Sequence, residues 1–262
     1  MEDIVILGAG NVATHLAKNL HAKGFRILQV YSRSESSAAQ LAGKLKIPFT
    51  TNIKHINKEA DIYIYALKDS ALPDVIKEIN LPNALHIHTA GSVSMRIFKD
   101  AGENYGVMYP LQTFSKNKEV DFSTIPVFIE GNNKNTIEKI QSIAKLLTAN
   151  VYIVNSDQRK RIHLAAVFAC NFSNFMYSIA EEILIDSNLP FDVLKPLIIE
   201  TAEKVKTLSP TEAQTGPAVR FDDNIISKHM SLLNDKPQYK NLYREISMLI
   251  HDKAKQNARK IK

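Results

Sequence analysis

Residues 4–7, Ile-Val-Ile-Leu, form an apolar, mostly β-branched run that breaks into Gly8-Ala9-Gly10-Asn11-Val12-Ala13, after which the apolar spacing turns helical. A strand, a tight turn and a helix with G-x-G-x-x-A at the turn is the arrangement that holds a dinucleotide pyrophosphate. Gly8 permits the turn, Gly10 lets the main chain approach the phosphates, and Ala13 lets the helix pack against the strand. The helix start then presents unpaired N–H groups and the positive end of its dipole. Gly8, Gly10, Asn11 and Val12 are therefore the expected phosphate contacts.

The next strand, over residues 25–31, ends in Ser32-Arg33-Ser34, about 20 residues past the glycine turn. A site for NAD places a carboxylate there for the ribose 2′-hydroxyl, whereas a 2′-phosphate calls for a cation and hydroxyls. Ser32, Arg33 and Ser34 match the second case, so NADP is expected over NAD. Glu35 is the one neighbour that could oppose this by folding back on Arg33.

Proton-transfer and substrate-holding chemistry is offered further on. A helix over 157–187 carries His163, Asn171 and Asn174 in an otherwise apolar stretch. At about 100° per residue, His163 and Asn174 fall within ~20° of each other and Asn171 about 80° away. An imidazole titrates near neutral pH, so His163 suits proton donation to a carbonyl or imine, or orientation of a substrate carboxylate. Tyr109 is a second candidate acid, with a packing role as its alternative. Arg220, in Thr215-Gly216-Pro217-Ala218-Val219-Arg220, could clamp a carboxylate or phosphate, or pair with Asp222 or Asp223 to hold its own turn. The cluster Arg159-Lys160-Arg161 reads as a solvated helix face, with contact to cofactor phosphates as the alternative.

The elements that must position these groups alternate through the first half. Apolar strands at 61–67 and 85–89 end in small or polar residues, so Ala66, Lys68, Asp69, Thr89, Ala90 and Gly91 should border the cofactor outside the strand ends. Gly91 and Gln112 are expected on the nicotinamide side. Further strands at 105–108, 126–130 and 150–154 with a helix at 134–148 complete a doubly wound α/β domain over 1–155. From residue 156 the pattern is helical, with helices expected at 157–187, 192–208, 222–233 and 235–260, and a hinge near Asn155. Residues 156–262 thus read as an all-helical domain for substrate and dimer contacts.

Composition narrows the function classes. The 262 residues are 45% hydrophobic and 23% charged, ordinary for a globular protein. A single cysteine, Cys170, excludes an intramolecular disulfide framework, and the N-terminus has no charged-then-apolar leader, so a cytoplasmic protein is expected. No uninterrupted apolar run reaches the ~18 residues of a membrane span. The net charge of +6 is scattered except in the tail 253–262, which a solvated helix end explains at least as well as nucleic acid does, so no nucleic-acid partner is expected. His86 and His88 share a strand face without a third ligand, so no metal is expected. No nucleophile-elbow sequence suggests a hydrolase.

The G-x-G-x-x-A domain, the Ser-Arg-Ser strand end, Ala66-Leu67-Lys68-Asp69 and the helical second half together resemble the pyrroline-carboxylate reductase and 6-phosphogluconate (β-hydroxyacid) dehydrogenase superfamily. More narrowly, Tyr109-Pro110-Leu111-Gln112-Thr113-Phe114, the stretch from Ile162 to Asn171, and Leu208-Ser209-Pro210 with the segment ending in Arg220 resemble Rossmann-like proteins with a C-terminal domain of unknown function. The resemblance implies an NADP-dependent reductase-like protein with its active site between the two domains and a homodimer formed through the helical one; it does not imply the substrate, for which a small carbonyl or imine compound, anionic in character, is the expectation. In the β-hydroxyacid dehydrogenases the corresponding helix carries a catalytic lysine one turn before an asparagine; one turn before Asn171 this chain has Val167. His163, with Asn171 and Arg220, is then the expected catalytic set. The alternative is an NADP-binding protein without turnover that senses cofactor level.

Overall fold

Among the described residues, eight strands form where β-branched and aromatic residues cluster, all before residue 155. They are β1 (Asp3–Leu7), β2 (Arg26–Tyr31), β3 (Phe49–Thr50), β4 (Ile62–Tyr65), β5 (Leu85–His88), β6 (Asn104–Pro110), β7 (Val127–Gly131) and β8 (Val151–Ile153). The computed structural model describes residues 2–260, and the last two residues of the basic tail lie outside them. One sheet takes all eight strands in the order β3-β2-β1-β4-β5-β6-β7-β8. Strands β1 to β6 pair in parallel. Helices α1 (Asn11–Ala22), α2 (Glu35–Leu45), α3 (Leu72–Lys77) and α4 (Lys134–Leu147) supply the covering layers.

The side-chain alternation of a strand explains why both faces are covered. Ile4, Ile6, Ile62, Ile64 and Ile87 face one way and pack with Leu16 and Leu20 of α1, Leu41 of α2 and Ile140 of α4. Val5, Leu7, Tyr63 and Tyr65 face the other way and pack with Leu72, Val75 and Phe98. Ligands of such a sheet bind beyond the strands' C-terminal ends where the order reverses, here between β1 and β4.

Two features depart from the sequence reading. β3 is only two residues long, too short to show a periodicity. β7 runs antiparallel to β6, and β8 is parallel to β7. The connection over residues 111–126 contains only one short 3₁₀ turn, Phe122–Thr124, and without a crossover helix the chain returns antiparallel.

The chain divides into two compact units, Met1–Phe172 and Ser173–Lys262. The first also takes in α5 (Ser156–Ala166) and a π-helical turn, Val167–Phe172. The second consists of α6 (Ser173–Ile185), α7 (Lys195–Lys204), two one-turn helices, α8 (Pro210–Ala213) and α9 (Pro217–Arg220), then α10 (Asp223–Leu232) and α11 (Pro237–Lys260). Helical geometry is continuous from Ser156 to Ile185, and by length and composition alone this stretch could cross a membrane. Its first turns, however, hold a buried ion pair with the sheet, described below.

Candidate active site

The turn after β1 is built for a close approach. Gly8 has φ +125°, and a Cβ on it would lie 2.2 Å from the Ala66 carbonyl oxygen, so no other residue fits. The strand ends are stapled in a row: Gly8 N–H donates to the Tyr31 carbonyl, Ala66 N–H to Leu7, Thr89 N–H to Tyr65 and Ser32 N–H to Thr50. Ser32, Gly8, Ala66 and Thr89 thus share one sheet edge.

At that edge α1 begins without a side-chain cap and without a carboxylate in its first turn, so its orphan N–H groups remain available to an anion. A Cβ on Gly10 would meet nothing within 4 Å, leaving open space above the turn. An uncapped helix start over open space fits a pyrophosphate held by the backbone of Gly10, Asn11 and Val12. The Asn11 side chain is engaged elsewhere: its amide donates to the Phe114 carbonyl at 2.8 Å. His15, one turn on and buried, contacts the Ser115 carbonyl at 2.8 Å and packs on the Phe114 ring. Together they hang the 111–117 loop on α1. His15 escaped the sequence reading because a histidine on the inner face of an apolar helix gives no local signal of its partner.

Beyond β2, Arg33 is exposed and has no ion pair among the described residues. Ser34 caps α2 by accepting from Ser37 N–H, and Ser32 Oγ accepts from Ser34 N–H. Glu35 begins α2, exposed, and does not pair with Arg33. Lys68 is exposed at the end of β4, and Ser92 donates to the neighbouring Asp69 carboxylate.

The potential chemistry gathers around Gly91. Tyr109, near the end of β6, and His163, on α5, meet with Oη 3.0 Å from Nδ1. A Cβ on Gly91 would lie 2.7 Å from that Nδ1 and 2.9 Å from Tyr109 Cζ, so the pair needs glycine beneath it. Burial pushes the Tyr109 phenol above its ordinary value, opposed by the Arg159 charge and reinforced by Asp69. Tyr109 therefore keeps its proton at neutral pH. The pair borders a cavity of about 390 Å³ lined also by Leu111, Gln112, Thr113, Ala166, Cys170 and Asn171. His163, Tyr109, Gln112 and Asn171 are thus brought together.

Two expectations are corrected. Asn174 does not join His163 in this cavity; it lines a separate groove in the second unit with Tyr177, Ser178 and Glu181. The π turn is the reason, because its i→i+5 winding breaks the angular register on which a uniform 100° step relies. Arg159 is not solvated. It is fully buried, ion-paired with Glu130 of β7, and donates to the Val93 carbonyl. Glu130 also accepts from Ser156 N–H and Oγ at the start of α5. Lys160 and Arg161 are exposed as expected.

His86 and His88 are fully buried in the sheet. His86 Nδ1 meets the Tyr65 hydroxyl at 2.9 Å. His88 Nδ1 accepts from Ala90 N–H at 3.1 Å, which fixes the first bend toward Gly91. In the second unit Arg220 ends α9, exposed. It forms no ion pair with Asp222, which caps α10.

Comparison with known proteins bears on this geometry. Residues 3–90 match a family described as "NADP oxidoreductase coenzyme F420-dependent", and residues 125–250 a domain of unknown function, DUF2520. A Bacteroides fragilis protein named as a candidate NADP oxidoreductase is 49% identical, with 96% of this chain and 98% of that one covered and a TM-score of 0.92. The chain belongs to this NADP oxidoreductase family. NADP is the family's cofactor, and the uncapped helix start accommodates its pyrophosphate. The fold is shared more widely. A Thermotoga maritima protein matches over 96% of this chain and 99% of its own at 22% identity and TM-score 0.80. The 1-pyrroline-5-carboxylate reductase of Streptococcus pyogenes matches over 97% and 98% at 15% identity and TM-score 0.63. No curated protein matches.

Proposed function

We propose that this NADP oxidoreductase reduces a small carbonyl or imine compound in the cavity beside Tyr109 and His163, and that this pair donates the proton. NADPH, when bound, supplies a hydride from its nicotinamide. The observation that carries the reading is the Tyr109–His163 hydrogen bond over Gly91, on the same sheet edge and in the same compact unit as the phosphate-binding turn.

The pair has two neutral arrangements. Tyr109 can donate to Nδ1, leaving the proton on Nε2, or Nδ1–H can donate to the phenol oxygen, leaving the phenolic proton free. In each, one proton is shared between the rings and the other is available to an acceptor. Burial of Tyr109 keeps the phenol a donor rather than a base. Asn171 and Gln112 offer amide groups to orient a polar substrate, and Ala166 and Val167 exclude water from that wall. Where the β-hydroxyacid dehydrogenase pattern places a lysine, Val167 leaves the proton to the ring pair.

Ser32, Arg33 and Ser34 hold the 2′-phosphate in this proposal. The helical unit exposes Phe175, Leu197, Ile199, Leu232 and Leu249, an apolar surface that supports a homodimer through that unit. A single cysteine and NADP dependence suit a cytoplasmic enzyme.

The test is fluorescence binding of NADPH and NADH, then nicotinamide absorbance against a panel of small keto acids and cyclic imines. Oxidation of NADPH by one substrate class supports the reductase. Tight binding with none favours either a substrate outside the panel or a cofactor sensor, and absent binding overturns both.

A further inference from the structure

We propose that Arg159 and His88 are positioning residues for the Tyr109–His163 pair, fixing the 90–93 turn at its two ends so that Gly91 stays beneath the two rings. The inference rests on the proposed role of that pair.

Three observations converge on the turn. At its start, His88 Nδ1 accepts the Ala90 N–H at 3.1 Å, so the ring must present an unprotonated nitrogen there. At its end, the Arg159 guanidinium donates to the Val93 carbonyl. Between them Gly91 sits so close to His163 and Tyr109 that there is no room for a methyl group. Arg159 and His163 are four residues apart on α5 and so share a face. One turn of helix thus carries both the residue that anchors the turn and the one that rests on it. Glu130 fixes the other side of Arg159 and receives the first N–H of α5, which ties the helix to β7.

The arrangement is costly for a purely structural one. Arg159 Nε is buried without a protein hydrogen-bond partner. Orphan donors are destabilising, and a buried ion pair is often replaceable by apolar side chains of similar volume without loss of stability. What apolar residues could not supply is a fixed carbonyl at Val93 and a fixed N–H at Ala90. Those two bonds set the position of Gly91 to within the tolerance that the ring pair requires.

The test reads geometry without needing a substrate. Full-length protein saturated with NADPH is labelled with ¹⁵N-histidine and ¹³Cζ-tyrosine, the His163 and Tyr109 signals being assigned with His163→Gln and Tyr109→Phe. In the wild type His163 should show one fixed tautomer. In Arg159→Met and in His88→Leu, each checked for folding by its melting profile, that signal should collapse to a tautomer average. Tyr109 should then move to the shift of an unpaired phenol, with Arg159→Lys restoring the wild-type spectrum in part. If Arg159→Met does not fold, His88→Leu and Arg159→Lys still decide. Wild-type His163 and Tyr109 signals in folded variants would overturn the positioning role. Because the readout is independent of turnover, a failure of the reductase proposal in the substrate panel is seen separately.

Discussion

The Tyr109 hydroxyl and the His163 imidazole, 54 residues apart in the chain, meet at 3.0 Å because β6 ends beside the face that α5 turns toward Gly91. Neither element alone specifies the contact. If the pair is the proton source, Tyr109→Phe and His163→Ala should each lower turnover on a responsive substrate by ~10²-fold or more while leaving NADPH binding nearly unchanged. Steady-state rates beside fluorescence titrations check this; wild-type rates in both variants would remove the pair from the chemistry.

In the proposed reading, cofactor choice is made further along the same sheet edge, past β2. Arg33 is exposed past β2, unpaired by Glu35, and flanked by two serine hydroxyls. Arg33→Ala should cost NADPH about 10- to 100-fold in affinity, the value of a charge-assisted phosphate contact, and should leave NADH almost unaffected. Equal losses for both cofactors in the same titration would sink the 2′-phosphate assignment.

The contrast between these two regions shows what could be read in the chain. Gly8, Gly10 and Ser32-Arg33-Ser34 are local in sequence, and each needs only its own strand and turn to be recognised. His163 and Asn171 were legible as polar residues on an apolar helix, but their shared cavity depends on the π turn, which a uniform helical period does not show. Arg159 was misread because its neighbours Lys160 and Arg161 are solvated, and only the return of β7 brings Glu130 to it. His15 and Asn11 likewise acquire their role from a loop about a hundred residues away. Long-range pairing, rather than local propensity, carried the missing information.

His88 makes stability depend on pH. Burial, and then the nearby Arg159 charge, push its imidazole down to about 3 from 6.5. The folded pKa lies below the unfolded one, so the unfolded chain takes up the proton first as pH falls. The contribution is complete above about pH 6.5 and is lost progressively toward pH 3, amounting to as much as about 5 kcal/mol. Urea midpoints measured from about pH 7 to pH 4 should fall more steeply for the wild type than for His88→Gln, which has no proton to bind at that position. Parallel curves would show that His88 is not excluded from protonation.

The two glycines of the first turn should fail in different ways. At Gly8 the backbone has φ +125° and a Cβ would fall 2.2 Å from the Ala66 carbonyl oxygen, so Gly8→Ala must move either β4 or the turn. A loss on the order of 3–5 kcal/mol in stability is expected, enough to unfold a marginal domain. At Gly10 the backbone is extended with φ −79°, and an added Cβ meets nothing of the protein within 4 Å. Gly10→Ala should therefore melt close to the wild type yet bind NADPH at least ~10-fold more weakly, because the methyl occupies the space through which the main chain approaches the pyrophosphate. Thermal melts and NADPH titrations on both variants separate the cases. Normal NADPH affinity in a folded Gly10→Ala protein would move the pyrophosphate away from this turn, while a wild-type melt for Gly8→Ala would mean that the strand ends can part without cost.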